Sequence, residues 1–299
     1  MSLPLKKIIY SVYVDIPEKE LDEQPPHHDS NISKTLHTKL EFKKHYAWLK
    51  ERHESYAKSI GVDYILFEYD KELEEYVNSM PPEITAYNAL NFYKIKKLYD
   101  LSKEYDEILY LDFDVIPITT ENFFEAWDLS KGIVIMEGTA ESQKQIGADT
   151  EDLYRQGKRA KQSNRSPVAK YWNTRAMLSE TELGNGTYTV FNTGIIGANK
   201  KHLQDLDYFG EFNENLKLMK ELHTHEMYPT YISQLFGYDN ETLWGFKILG
   251  KELPWQDMKE TGWHHFVDKW NYIPKDTKLV HMIKKDFDYI KDHCEKNNI

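Results

Sequence analysis

The sequence contains a single cysteine, Cys294, among 299 residues. One thiol cannot form an internal disulfide, so the cysteine content gives no sign of an oxidising compartment. No run of about eighteen apolar residues exists to span a bilayer. The first thirteen residues are too short and too mixed for a signal peptide. We therefore expect a soluble protein, cytoplasmic or otherwise, from a reducing interior.

The chain also lacks an excess of positive charge. Its formal net charge is −11, which argues against nucleic acid or an anionic membrane as a partner, because both need a basic surface. A phosphorylated ligand would need a local positive site or a bound metal. Hydrophobic residues make up 40% and charged residues 29%, as in ordinary globular proteins, and the length suffices for one large α/β domain.

Strand-like and helix-like segments alternate along the first part of the chain. Strands are predicted at 7–14, 62–67 and 108–111, and helices at 39–59 and 85–105. Alternation of this length implies parallel strands joined by crossovers, with a ligand site beyond the carboxyl ends of the strands. The expected fold class is α/β, with a mostly parallel central sheet flanked by helices.

The second half of the chain is less regular. Strands are predicted at 132–137, as two short strands within 187–198, at 243–249 and at 279–283; helices are predicted at 200–220, at 226–235 and in the charged carboxyl-terminal segment. No linker is clear enough to divide the chain, so one domain is expected over 1–299.

The most informative stretch runs over 108–117, where an apolar strand leads into Asp112 and Asp114 and a proline follows. In extended backbone the side chains at i and i+2 point to the same side, so both carboxylates are expected to face one point. Adjacent carboxylates repel unless a cation or a proton lies between them. Divalent cations with oxygen ligands suit this arrangement and commonly hold a nucleotide diphosphate. A strand end with solvated acids is the alternative.

Two further Asp-x-Asp triplets, at 205–207 and 286–288, do not end apolar runs. The first is interpreted as a helix start or a loop. The second is interpreted as the first turn of the last helix, where acidic residues suit the helix dipole. Context therefore singles out the triplet at 112–114.

Four segments together resemble nucleotide-sugar glycosyltransferases of the GT-A (Rossmann-like) fold, in particular the glycogenin-like and galactosyltransferase-like members. They are the Asp-x-Asp strand at 105–117, Phe-Tyr-Lys-Ile at 92–95, Phe-Asn-Thr-Gly-Ile-Ile-Gly at 191–197 and Val-His-Met-Ile-Lys at 280–284. They come in the order of the family and span most of the chain. The resemblance implies a metal-dependent enzyme that moves a sugar from a nucleoside-diphosphate sugar, with UDP as the expected nucleotide, to a hydroxyl acceptor such as a glycan or glycoprotein. Its donor half would be 1–117 and its acceptor half 118–299.

The resemblance also implies roles for particular residues. Asp112, Asp114 and His281 would bind Mn²⁺ or Mg²⁺, and a histidine beside two oxygen ligands slightly favours Mn²⁺. A strand histidine packed in the core is the alternative for His281. The residues expected to contact the donor are Tyr13, Asp15, Lys94, Phe113, Asn192, Gly194 and Lys284. For Tyr13 and Asp15 this expectation rests on topology alone, and for Lys94 a solvated helix face is an equal alternative.

Glu226 and Asn192 are the predicted catalytic residues. Glu226 would take the acceptor proton if the enzyme inverts the anomeric centre, and would only orient the sugar if it retains configuration. His223 and His225 lie close by, but no cysteine or third spaced histidine supports a zinc site. Trp255 and the pair His264-His265 are candidates for the acceptor cleft, although packing is the simpler role for Trp255.

The chain departs from the family pattern after His281. Relatives carry a glycine and then a lysine that grips the phosphates, whereas this chain has Lys284-Lys285 and no glycine there. The missing glycine supports an alternative, a non-catalytic carbohydrate-binding protein on a decayed transferase fold. A nucleotidyltransferase is a further alternative, but residues 10–16 lack the glycine-rich phosphate loop of that class.

Overall fold

The computed structural model describes residues 4–16, 32–138, 174, 177–183, 189–223, 238–267 and 272–299. In these ranges the strands are β1 (Lys7–Val12), β2 (Asp63–Phe67), β3 (Glu107–Leu111), β4 (Val115–Pro117), β5 (Ile133–Glu137), β6 (Phe191–Asn199), β7 (Trp255–Asp257), β8 (His265–Val267) and β9 (Leu279–Met282). The α-helices whose bounds are described are α1 (Lys34–Ser59), α2 (Lys71–Ser79), α3 (Ala86–Leu101), α4 (Phe123–Ala126), α5 (Lys200–Leu206), α6 (Phe212–His223), α7 (Asn240–Gly250) and α8 (Phe287–Asn297). None of the described helices has the length and apolar character that crossing a membrane requires.

The chain divides into two compact units. The first comprises Met1–Ser130, Gly194–Lys200 and Met258–Ile299; the second comprises Lys131–Thr193 and Lys201–Asp257. Strand β6 crosses the division, since its first three residues belong to the second unit and the rest to the first.

The larger sheet has six strands in the order β2-β1-β3-β6-β5-β7. Strand β1 pairs in parallel with both β2 and β3, and β5 pairs in parallel with β7. Strand β6 runs antiparallel to β3. After their first residues, strands β1 and β3 are mainly apolar and buried on both faces, which is typical of a parallel sheet covered by helices. The predicted α/β fold with a mostly parallel central sheet is therefore confirmed.

A second sheet of three strands, in the order β4-β9-β8, lies in the first unit. Strand β4 pairs antiparallel with β9, so that Val115 lies opposite His281. Strand β8 pairs in parallel with β9, so that Phe266 lies beside His281. This sheet joins the residues after the Asp-x-Asp triplet to a strand near the carboxyl end of the chain.

Polar residues begin the helices that border these sheets. The Ser33 side chain accepts a hydrogen bond from the Leu36 amide at 3.1 Å at the start of α1, and the Thr85 side chain accepts one from the Asn88 amide at 3.2 Å at the start of α3. Each contact satisfies an amide that the helix leaves unpaired, which is worth roughly 1 kcal/mol.

Two secondary-structure predictions are wrong. The apolar segment 243–249 lies in helix α7, not in a strand. The Asp239 side chain accepts a hydrogen bond from the Glu241 amide at 2.7 Å and thereby starts the helix. A short apolar run does not distinguish a strand from a buried helix, and the capping residue Asp239 is the sequence signal that indicates a helix here. Where two short strands were predicted around Asn192-Thr193-Gly194, the described residues form one continuous strand, β6, which pairs with β3 over 195–199.

The helix predicted over 200–220 is interrupted. Helix α5 ends at Leu206, and α6 begins at Phe212. Between them Asp207 (φ 45°) and Glu211 (φ 53°) adopt left-handed backbone, which cannot continue a right-handed helix. The helix predicted at 226–235 lies outside the described residues.

His53 anchors α1 against the end of β3. Its side chain is fully buried, and its Nδ1 donates a hydrogen bond to the Leu49 carbonyl at 2.8 Å. The ring stacks on Phe113 and on Tyr64, with 5.6 Å between ring centroids in both pairs. Burial lowers the pKa of His53 to about 4. The imidazole is therefore neutral at physiological pH and packs as an aromatic ring.

We expect His53 to make the protein acid-sensitive. A histidine in the unfolded chain has a pKa of about 6.5, so protonation favours unfolding progressively as the pH falls from that value to about 4. The His53→Phe variant keeps an aromatic ring but has no group that titrates at this position. Over that pH range its free energy of unfolding should therefore fall by about 3 kcal/mol less than that of the wild type. Urea unfolding at stepped pH measures this difference. Parallel pH dependences of the two proteins would contradict it.

Candidate functional site

Asp112 and Asp114 follow β3 in a tight turn, and this corrects the extended geometry expected from the sequence. The Val115 amide donates to the Asp112 carbonyl at 2.8 Å and closes the turn. The Asp112 amide donates to the Gly194 carbonyl at 2.7 Å and holds the start of the turn against β6. The two carboxylates therefore converge because the backbone turns, and not because they share one face of a strand.

His281 reaches the acid pair through the small sheet. Strand β4 starts one residue after Asp114 and pairs with β9, and the Met282 amide donates to the Asp114 carbonyl at 3.0 Å. The Nε2 atom of His281 consequently lies 3.4 Å from Oδ2 of Asp114. Ligand atoms of Asp112, Asp114 and His281 all lie within 4.8 Å of one another. The three residues predicted as metal ligands are thus brought together within the first unit.

Two lysines neutralise the acid pair. The Lys94 ammonium donates to Oδ1 of Asp112 at 3.0 Å, and the Lys285 ammonium donates to Oδ2 of Asp114. Lys94 is only 4% exposed, and its carbonyl accepts a hydrogen bond from the Tyr10 hydroxyl at 2.7 Å, so its position is fixed by the core. Lys94 is therefore buried and does not lie on a solvated helix face.

The environment of Asp114 favours its ionised form. Burial raises the pKa of this carboxyl, but the neighbouring Lys285 and His281 outweigh that effect and hold the pKa well below its usual range. Asp114 is therefore a carboxylate at neutral pH, which is the form that binds a metal ion.

His264, a candidate for the acceptor cleft in the sequence analysis, instead contacts His281. Its Nε2 lies 3.0 Å from Nδ1 of His281, and its ring is buried. Burial and the proximity of His281 lower the pKa of His264 well below its ordinary value, so its ring is neutral. The contact fixes the ring of His281 with Nε2 towards Asp114. The pairing of β8 with β9, which creates this contact, leaves no local signal in the sequence.

The residues predicted to contact the donor fall into different environments of the first unit. Tyr13 and Phe113 pack together, with 5.0 Å between ring centroids, and burial raises the pKa of Tyr13 to about 12. Asp15 is exposed and pairs with the Lys39 ammonium. The carbonyl of Lys284 lies 3.2 Å from Nε2 of His37, while it is Lys285 that contacts the acid pair.

Asn192 belongs to the second unit, where helix α7 contacts it and Thr193. Its Nδ2 donates to Oε1 of Glu241 at 3.1 Å, and Nδ2 of Asn240 donates to the Thr193 hydroxyl at 2.9 Å. Neither α7 residue was predicted from the sequence: both precede the segment 243–249, which was predicted as a strand, and the start of the helix was not recognised. Trp255 packs edge-on against Phe191 at 4.8 Å, in keeping with a packing role.

The predicted catalytic residue Glu226 lies outside the described residues, as does His225. The side chain of His223 lies outside them as well. Their roles stay predictions.

The three converging side chains fit a divalent cation. They offer two carboxylate oxygens and one imidazole nitrogen, a donor set suited to Mn²⁺ and compatible with Mg²⁺. The His264 contact supplies the outer partner that ligating histidines usually have on their second nitrogen.

Comparison with known proteins gives one family. Residues 9–230, more than two thirds of the chain, match the model of glycosyl transferase family 8. No curated protein matches the sequence.

Three solved structures show a weak overall likeness. A glycosyltransferase involved in the glycosylation of the major capsid of PBCV-1 has a TM-score of 0.46 at 13% identity and covers 95% of this chain and 99% of its own. The galactosyltransferase LgtC, in complex with donor and acceptor sugar analogs, has a TM-score of 0.43 at 11% identity, covering 92% and 87%. Mouse xyloside xylosyltransferase 1 has a TM-score of 0.43 at 11% identity, covering 94% and 98%.

Proposed function

We propose, since the chain belongs to glycosyltransferase family 8, that it transfers a sugar from a UDP-sugar to a hydroxyl acceptor with the help of Mn²⁺ or Mg²⁺. The predicted glycosyltransferase activity on a nucleotide sugar is confirmed by the family membership; the ion, the nucleotide and the residues are the proposal. The observation that carries it is the convergence of Asp112, Asp114 and His281 within 4.8 Å.

The site residues of the first unit then have the following roles. Asp112, Asp114 and His281 would hold the cation, which when bound supplies Lewis-acid stabilisation of the negative charge on the departing diphosphate. His264 keeps the ring of His281 in its orientation. Lys94 and Lys285 place two ammonium groups beside the acid pair, where they add positive charge for the phosphates.

Lys285 is a stronger candidate than Lys284 for the lysine that binds the donor phosphates. Its backbone has φ 60°, a left-handed conformation that costs a non-glycine residue roughly 1–2 kcal/mol. The ion pair with the buried Asp114 offsets that cost. The glycine missing after His281 is therefore weak support for a decayed fold, because a lysine still reaches the acid pair without it. The predicted donor contact of Lys284 stays a prediction.

The remaining assignments are part of the same proposal. Tyr13 and Asp15 would contact the base and ribose of the donor, and Phe113 would be a further donor contact. Asn192 would hydrogen-bond a sugar hydroxyl, and Gly194 would let the sugar approach the backbone closely. Glu226 would act as the base of an inverting reaction or orient the sugar in a retaining one. The donor half would be 1–117 and the acceptor half 118–299. We also propose a cytoplasmic location, on the single cysteine alone.

Thermal shift and donor turnover test this function. Among nucleotide sugars with different bases, UDP-sugars should raise the melting temperature, and only when Mn²⁺ or Mg²⁺ is present. The protein should release UDP from the matching donor, EDTA should stop the release, and added Mn²⁺ should restore it. Full activity in chelator would refute the metal role. Binding without any release of nucleoside diphosphate would identify a non-catalytic carbohydrate-binding protein.

A further inference from the structure

A second cluster of metal-ligating side chains lies in the first unit, between helices α1 and α8. Glu41 and His45 are one turn apart on α1, and Asp288 lies in the first turn of α8. One ligand atom from each residue lies within 4.8 Å of the other two. Asp112, Asp114 and His281 are not part of this cluster.

His45 is the reason to regard the cluster as more than neighbouring surface charges. Its side chain is only 5% exposed, and its Nε2 is buried without a hydrogen-bond partner. Carboxylate oxygens of Glu41 and Asp288 lie 3.5 and 3.3 Å from this nitrogen, but neither contact has hydrogen-bond geometry. A buried imidazole nitrogen left unpaired costs about 1–3 kcal/mol, so the arrangement needs an explanation.

The protonation state of His45 leaves its lone pair available. Burial lowers its pKa, and although Asp288 and Glu41 act in the opposite direction, the net shift is downward. The groups that face this imidazole are the two carboxylates together with Lys44 and Lys291, whose ammonium charges also oppose its protonation. A neutral imidazole is the form that coordinates a metal ion.

The two ligand spacings around Nε2 of His45 match tetrahedral coordination. Around Zn²⁺, with bonds of about 2.0–2.1 Å to nitrogen and oxygen, neighbouring ligand atoms lie roughly 3.3 Å apart. The two distances from Nε2 of His45 are 3.3 and 3.5 Å. The Lys44 ammonium contacts Oδ2 of Asp288, whereas Oδ1 is the oxygen nearest His45. The competing lysine thus leaves the ligand atom itself accessible.

We propose that Glu41, His45 and Asp288 form a second metal site, selective for a divalent transition ion of the Zn²⁺ type. One nitrogen and two oxygen donors suit such an ion. Asp288 is largely exposed, so water can fill the fourth position. The site is structural, because it would join α8 to α1.

The site would also stabilise the segment that carries Lys285. The ring of His45 packs on Phe287 at 5.6 Å, and Phe287 packs on Phe42 at 5.4 Å. The Lys285 ammonium lies 5.9 Å from the centre of the Phe42 ring. A metal ion between the two helices would therefore restrain the start of α8, two residues after the lysine that contacts Asp114.

Metal binding by a His281→Gln variant tests the proposal, because this change removes one ligand from the other cluster. Titration with Co²⁺, followed by visible absorption, and with Zn²⁺, followed by calorimetry, should reveal one site with a tetrahedral Co²⁺ spectrum. Adding His45→Gln should abolish that spectrum and weaken binding at least 100-fold. Adding either Glu41→Gln or Asp288→Asn instead should weaken metal binding at least tenfold. Glu51→Gln, an exposed change on the same helix, should leave binding unchanged.

The outcomes separate this proposal from the proposed function. If His281→Gln binds no more metal than the variant that also carries His45→Gln, the second site does not exist. If His45→Gln fails to fold, the Glu41→Gln and Asp288→Asn variants decide, since both positions are at least partly exposed, and binding unchanged in both would overturn the proposal. No donor or activity measurement enters, so a failure to turn over UDP-sugars leaves the result intact.

Discussion

Asp114→Asn should abolish sugar transfer. The change removes the charge of a proposed metal ligand and leaves Lys285 without its partner, in a turn that also carries Asp112. Loss of groups that only support a ligand already costs about 10–100-fold, so loss of the ligand itself should lower kcat/KM by more than about 100-fold. Measurement of UDP release over a range of Mn²⁺ concentrations checks this, and saturating Mn²⁺ should not restore the rate.

The same variant should lose stability, for a reason that can be separated from catalysis. Asp114 is 5% exposed, and breaking a buried ion pair costs about 3 kcal/mol or more because the other charge stays buried. Adding Lys285→Met removes that charge and should recover most of the stability while activity stays lost. Recovery of activity in the double variant would contradict the metal assignment. Asp63→Asn, an exposed aspartate at the start of β2, serves as the control.

His264→Phe should weaken metal binding without preventing catalysis. The phenyl ring fills a similar space beside Phe266 but cannot contact Nδ1 of His281, so the ring of His281 loses its fixed orientation. We expect the Mn²⁺ concentration for half-maximal activity to rise about 10–100-fold. The kcat at saturating Mn²⁺ should stay close to that of the wild type, because the three proposed ligands Asp112, Asp114 and His281 remain.

His265→Phe is the matched control for this variant. His265 is the next residue in the chain, and its Nε2 lies 3.4 Å from the Tyr272 carbonyl, away from His281. Its Mn²⁺ dependence should match the wild type. A pure loss of kcat in His264→Phe, with unchanged Mn²⁺ dependence, would show that His264 does not act through the metal ligand.

Local patterns predicted much of the framework. The strands before and after α1 and the helix that precedes β3 follow from periodicity and turn residues, and so does the position of Asp112 and Asp114 beyond the end of a central strand. The helix α7 was missed because its apolar run resembles a buried strand, and only Asp239 marks where it starts.

Contacts between distant segments could not be predicted in this way. The proximity of His281 to Asp114 depends on the pairing of β4 with β9, and the contact of His264 with His281 depends on the position of β8. The resemblance to the family named His281 but did not reveal His264. Likewise, the sequence favoured Lys284 over Lys285, since only the left-handed backbone at Lys285 brings its ammonium group to Asp114.

The small sheet has a consequence for biosynthesis. During translation the acid pair after β3 leaves the ribosome long before β9 does, and in the described part of the chain β9 is the strand that pairs with β4. A nascent chain can therefore form the parallel pairs of β1, β2 and β3 while the ligand set is still open. Competence to bind the proposed ion should appear only once residue 281 has emerged, and sugar transfer should not begin before that point.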